Sequence, residues 1–312
     1  MIFDLKLGFK CNNDCIHCVV ADKRNSGCLS LEEMKKIVET VPQESILQIT
    51  GGEPTTFKEE LPELLKFAKE RNLFPTIQTN GTGFADIEFL KKCAPYLSNV
   101  HIAIHSCVPE VHDEIVNSKG MWEKTMMGFK NLLSIEGLSV TTQTVLSKLN
   151  IDTLYDTYKM IQEMSPGIQM SMTYPHLNGN AWKNRDKVAF RFSDKKDMIY
   201  KCLEEFENVI FTESIPMCYS YPFINHPSLE NDILYNVNSR IGIDFSQSKD
   251  IHDYNVSDIK DRRKANRCKE CLFYNRCIGV WKEYIEIFNK NLDLYPITEK
   301  KKKDLENLYV RH

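Results

Sequence analysis

The chain has 312 residues, 42% of them hydrophobic and 27% charged, with a formal net charge of −3. That balance is ordinary for a soluble chain of roughly two domains, and it excludes the broad positive field of a nucleic-acid binder. No apolar run approaches the roughly 20 residues needed to span a bilayer, so no membrane role is expected. Met1 to Lys6 carries an early acid, Asp4, and no long apolar stretch or cleavage site, which argues for a cytoplasmic protein without a signal peptide. Eleven cysteines in a compartment that keeps thiols reduced need a role other than disulfides, and an odd count fits a disulfide framework poorly. Metal or cluster ligation is the alternative.

In chain order, Ile2 to Leu7 reads as a strand, and Leu31 to Val41 as an amphipathic helix opened by Ser30. Ser45 to Thr50 is a strand and Lys58 to Glu70 a helix. Phe74 to Gln78 (strand), Asp86 to Ala94 (helix) and Asn99 to His105 (strand) follow. Next come a helix over Trp122 to Leu133, a strand over Ser139 to Val145, a helix over Asp152 to Met164 and a strand over Ile168 to Thr173. This is about six βα units, which argues for parallel strands with helices outside. In such a barrel reactive groups gather at the C-terminal strand ends, and six units rather than eight leave it partial and open on one side. After Tyr174 the pattern changes. Pro175, Asn178, Gly179 and Asn180 make a loop, a helix spans roughly Lys195 to Glu207, and 209–211 is a possible strand. Beyond Cys218 periodicity is weak. The expected fold is α/β, a partial (β/α)6 barrel over 1–190 followed by a small α+β domain over 191–312. The run Lys300 to Lys303 reads as a solvated helix face or tail.

Directly after the first strand come Cys11, Cys15 and Cys18, at Cys-x3-Cys-x2-Cys spacing. Three thiolates within eight residues can wrap one cuboidal cluster. Four-iron clusters normally take four cysteines, so the fourth iron is left to a small molecule. Spacing alone leaves zinc open, although structural zinc is almost always closed by four protein ligands. Two glycines in Thr50-Gly51-Gly52-Glu53-Pro54 remove side chains where a ligand meets the backbone, and a carboxylate suits an ammonium.

The cysteine spacing, its place after the first strand and the Gly-Gly-Glu-Pro run resemble the radical S-adenosylmethionine (SAM) superfamily, as does Thr79-Asn80-Gly81 ending the third strand. The resemblance covers roughly residues 1–175. It implies a [4Fe-4S] cluster on Cys11, Cys15 and Cys18, with SAM chelating the open iron. Reductive cleavage of SAM would give a 5′-deoxyadenosyl radical that takes a hydrogen atom from substrate. Gly51, Gly52, Glu53, Pro54, Thr79 and Asn80 would bind SAM. His17 stands where the family commonly has an aromatic residue near the adenine, and is expected to stack there. His105 and Ser106 end the fourth strand. They either contact the ribose or carboxylate of SAM or cap the helix near Pro109. Asn150, after the fifth strand, is a candidate of the same type.

Farther on, Cys268, Cys271 and Cys277 form Cys-x2-Cys-x5-Cys, with Cys218 alone upstream. Four thiols there suit a cluster or a zinc site. After a radical SAM barrel the pattern resembles the SPASM/Twitch subgroup. Its longer form adds another cysteine after three residues, where this chain has Trp281. The resemblance therefore implies one auxiliary [4Fe-4S] cluster of Twitch type. Cys218 is its fourth ligand or a free thiol near the active site. Cys28, Cys93, Cys107 and Cys202 read as small hydrophobes, with Cys107, like Cys218, a candidate hydrogen-atom donor. The subgroup implies an oxidoreductase that matures a ribosomal precursor peptide, by epimerisation or by a thioether or carbon–carbon crosslink at Cα or Cβ. A flavodoxin-type protein or a reductase would donate electrons. The alternatives are a dehydrogenase or rearranging enzyme acting on a sugar or nucleotide, and a non-catalytic zinc-binding interaction protein.

Overall fold

Where a strand of the sheet alternates apolar and polar side chains, that alternation decides which face meets the helices. The computed structural model describes residues 1–207, 209–223, 240–243, 251–253, 260–288 and 293–309. Strands β1 (Ile2–Lys6), β2 (Ile46–Thr50), β3 (Phe74–Thr79), β4 (Asn99–Ala103), β5 (Ser139–Val145), β6 (Gln169–Thr173) and β7 (Ile210–Glu213) lie side by side in chain order, each parallel to the one before. Between them run α1 (Leu31–Thr40), α2 (Glu60–Glu70), α3 (Ile87–Cys93), α4 (Pro109–Val116), α5 (Met121–Leu133), α6 (Leu154–Met164) and α7 (Phe192–Glu205). The sheet curls into a half-barrel with helices around it.

Leu47 and Ile49, Ile77, Val100 and Ile102, and Met170 and Met172 are all buried at 0% exposure and form one alternating set along β2, β3, β4 and β6. Burial of each such side chain contributes about 2 kcal/mol. The register places the intervening residues in a second set, with Gln78 beside His101 and Thr173 beside Glu213. That inner face is polar, so the core lies between sheet and helices and the barrel interior is left to function.

The α/β half-barrel is the fold expected; to the six strands of the βα units a seventh is added in series. The seventh, β7, falls where 209–211 reads as a possible strand. The sheet also runs past residue 190. The outer edge of β1 pairs in parallel with β8 (Arg240–Ile243), which makes eight parallel strands among the described residues and carries β9 (Ile251–Asp253) antiparallel. Farther along, β10 (Arg262–Arg263) and β11 (Val280–Trp281) form an antiparallel pair, followed by α8 (Lys282–Phe288) and α9 (Glu299–Tyr309). Tyr284 of α8 packs on Phe192 and Tyr174, accepts the Phe192 N–H at 3.1 Å and donates to Asp293 at 2.8 Å. Through this seam the C-terminal segment shares the barrel's core. The lysine run falls on α9, whose Leu305 is buried. Among the described residues no helix is long and apolar enough to cross a membrane.

Candidate active site

Beyond β1 the chain runs through Gly8 to Lys10 into the first cysteine loop, and the turn after β2 is fastened to it. Gly52 donates to the Gly8 carbonyl and Glu53 to that of Lys10, both at 2.8 Å. A Cβ on Gly51, whose φ is +131°, would lie 2.3 Å from the Gly8 oxygen, and one on Gly52 would lie 2.2 Å from the Lys10 oxygen. The glycines thus permit two stretches of backbone to touch, and both also line the cavity described below. Pro54 opens a short 3-10 turn and is buried.

Glu53 ties this turn to the next strand. Its buried carboxylate accepts from Thr55 N (3.1 Å), Thr55 Oγ1 (2.7 Å), Thr79 Oγ1 (2.6 Å) and Asn80 N (2.7 Å). These donors hold the tip of β3 against the tip of β2, and Oε2, which among the described residues accepts only from Asn80 N, lies on a residue that lines the cavity. Burial pushes its pKa up, and the four donors pull the other way. Asn80 extends the brace, donating from Nδ2 to Asn12 Oδ1 at 2.8 Å, so three loops are fixed together.

Cys11, Cys15 and Cys18 are half-buried and line one cavity of about 370 Å³, within the size range of small-molecule sites. Burial raises all three thiols, Cys11 to about 11, and Cys15 is raised further by the charges of the other two. Thiols so placed stay protonated until a cation compensates them. Asn13 lies between them, 2% exposed, and neither its Nδ2 nor its Oδ1 finds a partner among the described residues. Three thiols and an unsatisfied amide facing one chamber fit an iron–sulfur cluster with a bound small molecule. Among the described residues no three His, Cys, Asp or Glu side chains converge on a single metal ion. A four-iron cuboid does not require that, because each thiolate binds a different iron.

His17 reaches the cavity, with its ring edge-on to His105 at a centroid distance of 4.9 Å. His105 stacks on His112 of α4 at 5.5 Å. Burial depresses all three imidazoles, His17 and His112 to about 4. Ser106 lies outside the cavity lining. Its Oγ accepts the Val108 N–H at 3.0 Å, just ahead of α4, whose N-terminus carries no side-chain cap. Asn150 is also elsewhere. It donates to the His105 and Val145 carbonyls (2.8 and 2.9 Å) and accepts from Ser147 N (2.7 Å), bracing β4 against β5. Cys107 is half-buried, its N–H bound to Thr157 Oγ1 at 2.9 Å, and it does not line the cavity. Cys93 and Cys202 are buried, whereas Cys28 is exposed.

Cys218 is buried away from the cavity, close enough to Cys277, Cys268 and Cys271 for their charges to raise its thiol further beyond the effect of burial. The Cys277 sulfur accepts the Gly279 N–H at 3.4 Å and that of Cys271 accepts the Ile297 N–H at 3.3 Å. Four thiols gathered with N–H donors suit a second cluster, and this placement favours ligation over hydrogen-atom donation by Cys218.

Sequence reasoning missed Asn13, Arg24, Gln78, His101, His112, Glu213 and His176, all of which line the cavity. For Gln78, His101 and Glu213 the signal was available as polar positions of period two near strand ends. For Asn13 and His112 there was none, because their burial depends on how the cysteine loop folds over α4, where Ile16 N–H binds the Ile115 carbonyl at 2.9 Å.

A family model described as the Radical SAM superfamily matches residues 5–161. The Fe-coproporphyrin III synthase of Methanosarcina barkeri is 29% identical over 159 residues, 49% of this chain and 39% of the relative. The chain thus spans less than half the length of the curated relatives it matches. Two solved structures share the fold over nearly the whole chain. One is native anSMEcpe with bound AdoMet and the Kp18Cys peptide, with a TM-score of 0.64 and 12% identity over 98% of this chain and 96% of that one. The other is Streptococcus suis SuiB bound to precursor peptide SuiA, with a TM-score of 0.62 and 16% identity over 96% and 75%. With the matched half of the sequence carrying the cysteine loop and the braced turn that faces it, the chain belongs to the radical SAM superfamily.

Proposed function

We propose that this radical SAM enzyme is of the SPASM/Twitch type and modifies a ribosomally made peptide. One observation carries the reading. The cavity that receives Cys11, Cys15 and Cys18 is closed on another side by Trp281, a residue of the segment that gathers the C-terminal cysteines. The first three cysteines would hold a [4Fe-4S] cluster, and Cys218, Cys268, Cys271 and Cys277 an auxiliary one. When bound, the first cluster supplies the electron that cleaves SAM, giving a 5′-deoxyadenosyl radical for hydrogen abstraction. The protein's own part is positional. Glu53 locks the tips of β2 and β3, Asn13 offers a donor and an acceptor to what enters, and the buried imidazoles, held uncharged, add no positive charge to the chamber. A barrel over 1–190 and a cluster-bearing segment over 191–312 remain our division of roles. The sharing of folds with anSMEcpe and SuiB, both solved with peptides, supports the substrate class.

Anaerobically purified protein should contain about eight irons with matching sulfide, and should form 5′-deoxyadenosine from SAM and dithionite. Zinc without sulfide would refute the enzyme reading. A second reading, oxidation of a small molecule, draws on the similarity to the Fe-coproporphyrin III synthase. Deuterium entering a peptide Cα from solvent would decide for the peptide, and a porphyrin product would decide against it.

A further inference from the structure

Trp281 stands where the longer cysteine pattern would place another thiol, and its indole is set into the barrel mouth. It pairs in register with Arg262 across β10 and β11, and the Arg262 guanidinium lies 3.4 Å from the centre of its ring. His176, from the loop after β6, stacks on it with centroids 3.9 Å apart and planes 6° from parallel. Arg262 is itself anchored, and His176 sits beside a carboxylate. Arg262 Nη2 donates to Ser214 Oγ at 2.6 Å, and His176 Nε2 lies 3.4 Å from Glu283 Oε2. So held, the indole is 7% exposed, lines the cavity, and leaves its Nε1–H without an acceptor among the described residues. Buried indole N–H groups ordinarily find a partner, and an unmet donor is costly.

An acceptor faces the same cavity. Gln143 of β5 donates to Thr173 Oγ1 at 3.3 Å, and Thr173 of β6 donates to Glu213 Oε2 of β7 at 3.1 Å. This row crosses three neighbouring strands and ends in a carboxylate lining the chamber. Glu213 immediately precedes Ser214, the residue that anchors Arg262, so donor and acceptor are built on one connected frame. An amide offers a carbonyl oxygen and an N–H in fixed, opposed directions, the complement of such a pair.

We propose that Trp281 and Glu213 position the substrate main chain, with the indole N–H taking a backbone carbonyl and the carboxylate taking a backbone N–H. This rests on the peptide reading above and deepens it. Recognition at this wall is of backbone, so it tolerates different side chains at the held residue.

The test uses the full-length, anaerobically reconstituted protein and N-acetylglycylglycine amide, a probe with amides and no side chains, with glucose as the competing chemistry. Saturation-transfer NMR should show transfer to the peptide probe and not to glucose. Trp281→Phe keeps a ring between Arg262 and His176 but removes the N–H. Glu213→Gln directs a donor where the acceptor was. Each should lower transfer at least about threefold, with thermal unfolding of Trp281→Phe reporting whether the stack survives. If that variant unfolds, Glu213→Gln decides alone. Transfer that is absent, equal in the folded variants, or seen for glucose instead overturns the proposal. Wild-type 5′-deoxyadenosine formation reads the enzyme assignment separately. Its presence without probe transfer discards the pair alone, and its absence with probe transfer discards the enzyme reading alone.

Discussion

Acidification is expected to destabilise the cluster-free protein through His112, a residue with no expected part in ligation. His112 is 1% exposed, and its Nδ1 accepts the His105 N–H at 3.3 Å. Its proton therefore sits on Nε2, which has no partner among the described residues. A second proton would have to enter at Nδ1, against an N–H. Burial places the folded-state value at about 4, below the ordinary 6.5. The sign follows from linkage. The unfolded chain takes up a proton near 6.5 and the folded chain only near 4, so this stability is whole above 6.5 and is lost as pH falls through that window. At about pH 5 the loss is about 2 kcal/mol relative to neutral pH, approaching about 3 kcal/mol below pH 4. Urea unfolding followed by circular dichroism across this range, for wild type and His112→Asn, gives the measurement. Asparagine supplies an acceptor close to Nδ1 and does not titrate. The stability difference between the two should narrow by about 2 kcal/mol from neutral pH to about pH 5. Parallel curves would refute the argument.

Gly52→Ala sets a Cβ against the backbone of Phe9 and Lys10, neither of which can turn aside. A loss of about 3 kcal/mol in thermal or urea unfolding, with poor iron loading, is expected. Glu53→Gln leaves at least one of the two N–H donors, that of Asn80 or Thr55, facing another donor. Destabilisation of about 2 kcal/mol and weaker SAM binding in equilibrium dialysis should result. Cys107→Ala should leave product formation unchanged in a chromatographic assay, because that thiol does not line the cavity. Cys218→Ala should reduce iron content by up to about four atoms per chain, and an unchanged iron count would remove it from the ligand set.

Local chemistry made most of the barrel legible. Ser30 and Glu33 announce α1 because both halves of the capping box form, with the Glu33 N–H on Ser30 Oγ at 3.3 Å and the Ser30 N–H on Glu33 Oε2 at 2.9 Å. The cysteine loop was readable for the same reason, its ligands lying within eight residues. Glu53 was found by motif, but its bracing partners Thr79 and Asn80, at and just past the end of β3, lie 26 and 27 residues away and were not readable from the motif. Trp281 was legible only as the place where a pattern stops. Its contacts with Arg262 and His176 come from segments 19 and 105 positions distant in the numbering, and no window of sequence contains them.

The pairing of β1 with β8 bears on how the protein is made. Ile2 lies opposite Arg240, so the first strand leaves the ribosome long before the partner for its outer edge exists. Until then an apolar strand with unpaired backbone groups is open to other chains. The cysteine loop follows that strand directly, and β2, which braces it, is available about 200 residues sooner than β8. The loop can therefore be framed on the nascent chain while the sheet beside it is still unfinished. Expression at low temperature, or with holding chaperones, should raise the soluble yield most for fragments that end before residue 240.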